Sequence, residues 1–336
     1  HYMNKNLFIK STLILILSGF LTKILGFIIK VIYTRIIGEY GISLFTIATP
    51  TYSLLLTIST LAIPISISKL VSENKGRSIR ILTSATFLIL SINFLLILLI
   101  LLTKDFIAIN LLKEPLASPI LLAFSLTLPF VSISSVLKGY FAGKQNMIPH
   151  ATSNIIEQII RLIIIITVLP ILMKNSVMHA VLGLILLTIL SEISSIIVFL
   201  FFLPKHINYK TKLLPSKKHT KDILDISLPT VSSRIIGNIG YFLEPIILTN
   251  LLLFSGYTNS YILREYGAYN AYSLALLTMP GFFIAAISTS LLPEISKFHG
   301  EKNNIMVKRR IRQALLFALI IGTFFSFIIF TFRDNL

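Results

Sequence analysis

The chain has 336 residues, 55% of them hydrophobic and only 13% charged, with a mean hydropathy of +0.87. A soluble domain carries about 25% charged residues, so an ordinary wet surface is excluded. The net charge of +17 would point to nucleic acid in a soluble protein; here the basic residues gather in short connections between apolar runs, so topology accounts for them and no nucleic-acid partner is expected.

Apolar stretches recur at roughly 7–33, 42–68, 79–102, 116–137, 152–171, 178–203, 222–252, 263–292 and 311–332, each long enough to cross a bilayer as a helix. The expected fold is an all-α polytopic membrane protein of about nine transmembrane helices. The first stretch is too long for a signal-peptide core and lacks a small-residue cleavage site, so it is expected to stay as a span. With the connections assigned alternately to two sides, twenty of the thirty basic residues fall on the side of the N-terminus and six on the other. The remaining four, Lys23, Lys30, Arg161 and Arg234, lie inside spans. The positive-inside rule then puts the N-terminus in the cytoplasm and the chain, multi-pass, in the plasma membrane.

One long polar connection, "PKHINYKTKLLPSKKHTK" at 204–221, follows the sixth span. It reads as a basic cytoplasmic linker with an affinity for anionic lipid, dividing a six-helix lobe at 1–203 from the first three helices of a second lobe at 222–336. The flanking segments repeat in order. "TKILG" (22–26) matches "SRIIG" (233–237), "EYG" (39–41) recurs at 265–267, and "ISTLAIP" (58–64) matches "ISTSLLP" (287–293). The first and seventh spans start on the same side, so the two lobes are expected to be parallel repeats around a central cavity. Six spans precede the linker and three follow it, so the second lobe is expected to be truncated.

The residues that cost most inside hydrocarbon carry the functional reading. Helical spacing puts Gly19, Lys23, Gly26 and Lys30 on one face of the first span. Lys30 is near enough to the outer end to snorkel; Lys23 is deeper, with a cavity-facing role set against a structural pair. In the seventh span Arg234, Asn238, Tyr241 and Pro245 share a stripe, with Glu244 at its shoulder. Arg234 can equally be a local anchor close to Pro229. In the fifth span Glu157 and Arg161, at i and i+4, form either a packing lock or an exchangeable gate. Glu192, among serines of the sixth span, reads as polar glue or as an ion or proton site. No metal spacing, phosphate loop or nucleophile motif appears, so neither an enzyme nor a cofactor is expected. A cationic cavity with too few local carboxylates calls for an anionic, amphipathic substrate with a phosphate head.

"TPTYSLLLTISTLAIPISISKLVSEN" (49–74), "LKGYFAGKQNMIP" (137–149) and "SNIIEQIIRL" (153–162) resemble the stage V sporulation protein B group. These are polysaccharide-biosynthesis transporters of the multidrug/oligosaccharidyl-lipid/polysaccharide exporter superfamily. "TKILGFIIKVIYTRIIG" (22–38) is also similar to the first helix of MurJ-like lipid II flippases. The resemblance implies two lobes working by alternating access to move undecaprenyl-pyrophosphate-linked sugars, such as lipid II in peptidoglycan synthesis, across the membrane. It implies pyrophosphate contacts from Lys23, Lys30 and Arg234; the helical stripes described above mark Gly26, Glu157, Arg161, Asn238 and Glu244 as candidate cavity or gate residues. The familiar arginines are lysines in this first helix, point charges in place of a bidentate fork. The expected partners are a lipid-linked saccharide, the bilayer and a coupling ion (Na⁺ or H⁺) or the membrane potential. The alternatives are a cation-coupled multidrug antiporter on the same fold and a non-transporting scaffold that recruits envelope enzymes.

Overall fold

The first two predicted spans are one run of helix, α1 (Lys5–Thr60), doubled back at Gly38. Gly38 has φ 74° and ψ 177°, a conformation open to glycine and closed to residues with a Cβ. The reversal brings the Tyr33 and Phe45 ring centroids to 6.0 Å, where twelve residues of straight helix would hold them about 18 Å apart. The computed structural model describes residues 5–73, 78–203, 215–278 and 303–332, a few isolated positions between 280 and 298, and side chains from Leu17 onward.

The second span is itself broken. Leu61 and Ala62, both buried, have φ of 46° and 50° and separate α1 from α2 (Ile63–Glu73). There follow α3 (Ser78–Asp105), α4 (Ala117–Gly143), α5 (Ile148–Asn175), α6 (Val177–Phe202), α7 (Lys217–Phe254), α8 (Asn259–Ala268), α9 (Leu274–Thr278) and α10 (Asn304–Phe332). Single π-helical turns close α3 (Phe106–Leu111) and join α8 to α9 (Tyr269–Ser273). No strand occurs among the described residues. Among the described residues, seven helical segments are long and apolar enough to span a membrane, and the first of them doubles back on itself. The expected span at 263–292 is described only in its first part, and the repeat "ISTSLLP" (287–293) and linker residues 204–214 lie outside the described residues.

Two apolar clusters hold the bundle. One joins both arms of α1 to α4, α5, α6 and α8 through Ile37, Ile47, Phe124, Leu169, Leu184 and Tyr266. The other gathers α2, α3, α4, α6 and α7 around Ile63, Ile81, Ile89, Tyr140, Phe199 and Ile223. Helix α2 lies directly on the backbone of α4. A Cβ at Gly139 would come within 2.7 Å of Pro64 Cα, and one at Gly143 within 2.7 Å of the Ser68 carbonyl oxygen. These glycines, four apart in "GYFAG", are the small-residue stripe that lets two membrane helices touch. Nearby, Ser59, Asn93 and Ser132 form a buried triad between α1, α3 and α4: Ser59 Oγ donates to Asn93 Oδ1 at 2.8 Å, and Asn93 Nδ2 to Ser132 Oγ at 3.2 Å. Away from these contacts, Phe87, Phe94, Leu95 and Leu102 of α3 are exposed, as suits a lipid-facing helix.

The helices after the linker lean on the second span and on the end of the third. Ser66 and Ser227 hydroxyls meet at 2.7 Å, Ser53 Oγ donates to Asn238 Oδ1 at 2.7 Å, and Asn250 Nδ2 donates to the Leu111 carbonyl at 3.2 Å. At the far end Asn259 Nδ2 donates to the Lys113 carbonyl at 2.7 Å. A Cβ at Gly267 would overlap Ser43, so α8 and the second arm of α1 are in backbone contact there. The two "EYG" segments singled out as repeats are thereby brought against each other.

Candidate functional site

Three cavities meet at Lys30. The first, of about 480 Å³, lies between α1, α4, α5 and α6; a second, of about 290 Å³, lies between α1, Tyr241 of α7, the π-helical turn at Asn270 and α9. A third, of about 360 Å³, opens beside Phe27, Arg35 and Tyr272. Lys30 lines all three and has neither an ion pair nor a hydrogen bond among the described residues. The π-helical turn at Tyr269–Ser273 widens the helix where Asn270 and Ala271 reach the second cavity.

Part of the lining of the first cavity is a charge network. Glu157 Oε1 accepts from Arg161 Nη2 at 2.9 Å, and Lys138 Nζ of α4 lies 3.7 Å from Glu157 Oε2. Arg161 also reaches Glu192 of α6 at 3.6 Å and donates through Nε to Ser191 Oγ at 3.2 Å. Burying such charges is tolerable only when they are paired, and Glu157, 6% exposed, has two cations. Gln158 Oε1, on a residue of the same lining, is buried without a hydrogen-bond partner among the described residues. Aromatic rings line the cavity as well: Phe45 and Phe124 rings lie 5.5 Å apart and Tyr52 stacks on Phe124 at 4.4 Å.

The predicted residues therefore separate into two groups. Gly26, Lys30, Glu157 and Arg161 share the first cavity. A Cβ at Gly26 would lie 4.0 Å from Gln158 Oε1, so the glycine keeps the space between α1 and α5 open. Lys23 and Arg234 are exposed and lie outside the lining of these three cavities, as does Glu244. Asn238 is engaged with Ser53 and donates to the Arg234 carbonyl at 3.0 Å, which makes it an interhelical contact in this conformation. Glu157 and Arg161 form the ion pair expected from their spacing.

Sequence reasoning placed Lys138 in a connection after the fourth span. Helix α4 instead runs on to Gly143 and carries Lys138 to Glu157. Tyr33 and Tyr52 also went unnoticed. The signal for Tyr33 was present, since it follows Lys30 by three residues and shares its face; Tyr52 and Phe124 meet only through tertiary packing.

This bundle has the fold of multidrug-exporter transporters. It superposes on an inward-facing transporter of the MATE family with a TM-score of 0.63 at 15% identity, covering 96% of this chain and 69% of that one. A MATE protein in its straight conformation matches with the same score at 13% identity, over 98% of this chain and 73% of that one. Residues 8–299 match the family described as polysaccharide biosynthesis protein, and the chain belongs to that family. Stage V sporulation protein B of Bacillus subtilis (strain 168) is 34% identical over 99% of this chain and 67% of its own length. The lipid II flippase MurJ of the same organism is 26% identical over 49% of this chain and 33% of its own length. The chain thus spans about two thirds of the length of these first relatives and solved structures.

Proposed function

We propose that the protein is a flippase that carries an undecaprenyl-pyrophosphate-linked saccharide, lipid II or a similar cell-wall precursor, across the plasma membrane. The observation that carries this reading is Lys30: an ammonium without an ion pair among the described residues, at the junction of three cavities, while the nearby carboxylates Glu157 and Glu192 are engaged by Arg161 and Lys138. A cation so placed favours a phosphate oxygen as its partner. In this reading Lys23 and Arg234 extend the same anionic path, and Gly26, Asn238 and Glu244 belong to the surfaces that part as it opens. Residues 1–203 and 222–336 act as two parallel-repeat lobes, joined by the basic linker 204–221, whose last residues from Lys217 already belong to α7, with the N-terminus in the cytoplasm. Rocking of the lobes, driven by a coupling ion or the membrane potential, exposes the cavity to each side in turn. The names of the relatives, a sporulation protein and a lipid II flippase, support a cell-envelope substrate.

The test is transport of a fluorescent undecaprenyl-pyrophosphate saccharide in proteoliposomes. Loss of one charged hydrogen bond removes about 1.5–3 kcal/mol, so Lys30→Ala is expected to slow flipping by at least about tenfold with membrane insertion intact. Lys23→Ala and Arg234→Ala are expected to act in the same direction. Undiminished transport by all three variants rejects the reading. Export of cationic drugs in place of the lipid would favour a multidrug antiporter on the same fold.

A further inference from the structure

At the end of the bundle where α1 reverses, a fourth cavity of about 620 Å³ is lined by Glu39, Tyr40, Glu114, Ser260, Leu263 and Arg264 among others. It shares no lining residue with the three cavities that meet at Lys30. Its charged lining is two carboxylates, Glu39 and Glu114, and one guanidinium, Arg264, which leaves a deficit of one positive charge.

Glu114 carries the deficit. In the connection between α3 and α4 its backbone N–H donates to the Ala108 carbonyl at 2.9 Å, its carbonyl accepts from Ala117 N at 3.0 Å, and Oε1 accepts from Leu116 N at 3.2 Å. These bonds fix a residue that is 8% exposed. Among the described residues no cation, its neighbour Lys113 included, forms an ion pair with it. Its Oε2 has no hydrogen-bond partner there and keeps accessible surface. A carboxylate so nearly buried is normally paired. Glu39 adds a second open oxygen, because Arg264 Nε engages only Oε1, at 2.6 Å. An anion would meet two carboxylates here. A divalent metal would stand beside a guanidinium, and among the described residues no three acidic or imidazole side chains converge as ligands. Na⁺ or K⁺ would balance the charge and leave most of the volume unfilled. An ammonium group has three N–H donors, matching Glu114 Oε2, Glu39 Oε2 and the Ser260 hydroxyl, two of them in charge-assisted bonds. The volume lies within the range of about 300–1,000 Å³ that small-molecule sites occupy, so an organic body fits behind the charge. Leu263 gives that body an apolar contact, and the half-exposed ring of Tyr40 has a face that attracts cations.

We infer that this cavity binds a primary organic ammonium ion, with Glu114 as its charged anchor and Glu39 as the second acceptor. Arg264 keeps its bond to Glu39 Oε1, so the bound ammonium ties the α3–α4 connection to the second arm of α1 and reinforces the contact with α8. The inference goes beyond the flippase reading and uses none of its residues.

The full chain in nanodiscs of neutral phosphatidylcholine, probed separately with n-butylammonium, n-butanol, Na⁺ and Ca²⁺, tests the site. Saturation-transfer NMR is expected to show n-butylammonium bound to the wild type and n-butanol, its uncharged analogue, bound far more weakly. Affinity for n-butylammonium should fall at least about tenfold in Glu114→Gln, as for the loss of one charged hydrogen bond. That variant keeps an acceptor for Leu116 N, and an unchanged thermal midpoint without ligand shows that it folds. Asp105→Asn removes the same charge from the end of α3 but outside the lining, and is expected to bind as the wild type does. Lys30→Ala is expected to bind unchanged too, so the outcome is separate from that of the flippase reading. An unchanged signal in Glu114→Gln, none in the wild type, or a loss of equal size in Asp105→Asn or Lys30→Ala overturns the site. Equal signals from n-butylammonium and n-butanol show an apolar pocket and overturn it as well. Na⁺ or Ca²⁺ binding that is lost in Glu114→Gln, with no n-butylammonium signal, identifies a metal site in its place.

Discussion

Arg264 Nε donates to Glu39 Oε1 at 2.6 Å, tying helix α8 to the residue just after the Gly38 reversal. The pair is exposed, while beside it Gly267 presses its backbone against Ser43. An exposed pair of this kind sets register more than stability; the close backbone contact supplies the packing.

That division of labour is testable because the chain has no cysteine. Arg264→Ala is expected to leave the melting temperature nearly unchanged, whereas Gly267→Leu lowers it, since the new side chain has no space beside Ser43. In a Glu39→Cys/Arg264→Cys chain, a short thiol cross-linker should stop flipping in proteoliposomes and reduction should restore it. Transport unaffected by the cross-link would show that these ends do not separate during turnover.

The contact between α2 and α4 gives a second prediction. Gly139→Leu places a side chain where Pro64 backbone atoms already stand. Overpacking of this sort costs about 1–3 kcal/mol, and a lowered thermal unfolding midpoint in detergent checks it. Wild-type stability in this variant would mean that α2 can move off α4 freely.

In the charge network, the loss of one partner should matter more than the loss of the pair. Glu157→Ala strands Arg161 and Lys138 without their shared carboxylate, and breaking a buried pair costs about 3–5 kcal/mol. Lys138→Leu/Glu157→Leu removes charges of both signs, leaves Arg161 paired with Glu192, and is expected to recover most of that loss. Equal destabilisation in the single and double variants would refute the pairing as the source.

At the break in the second span, Ala62 holds φ 50° without the freedom of glycine. Left-handed backbone costs an L residue roughly 1–2 kcal/mol, so Ala62→Gly is expected to stabilise the protein modestly at the price of little packing. A lower midpoint would show that the methyl group contributes more to the α1–α2 junction than the strain removes.

Much of this was legible in the residues themselves. The apolar runs announced the membrane spans, because twenty consecutive apolar residues have few other stable fates. The Glu157–Arg161 pair followed from one helical turn of spacing. Gly38 was harder to foresee: "RIIGEYG" reads as a connection, and only the positive φ at its glycine shows that the connection has shrunk to a single-residue reversal. Lys138 was misplaced because a lysine at the end of an apolar run looks like a boundary when its partner, Glu157, lies nineteen residues away on another helix.

Sequence alone determined the membrane class, the helical content, the uneven spread of positive charge and the identity of the costly polar residues. All of these depend on local composition and period. Tertiary structure decided which of those residues share a cavity: Lys30 with Glu157, Arg161 and Glu192, together with aromatic rings from α1 and α4. Helical periodicity specifies the face on which a side chain stands. Which helix that face meets is settled by close packing among all of them at once, as where glycines let α2 and α8 approach their neighbours.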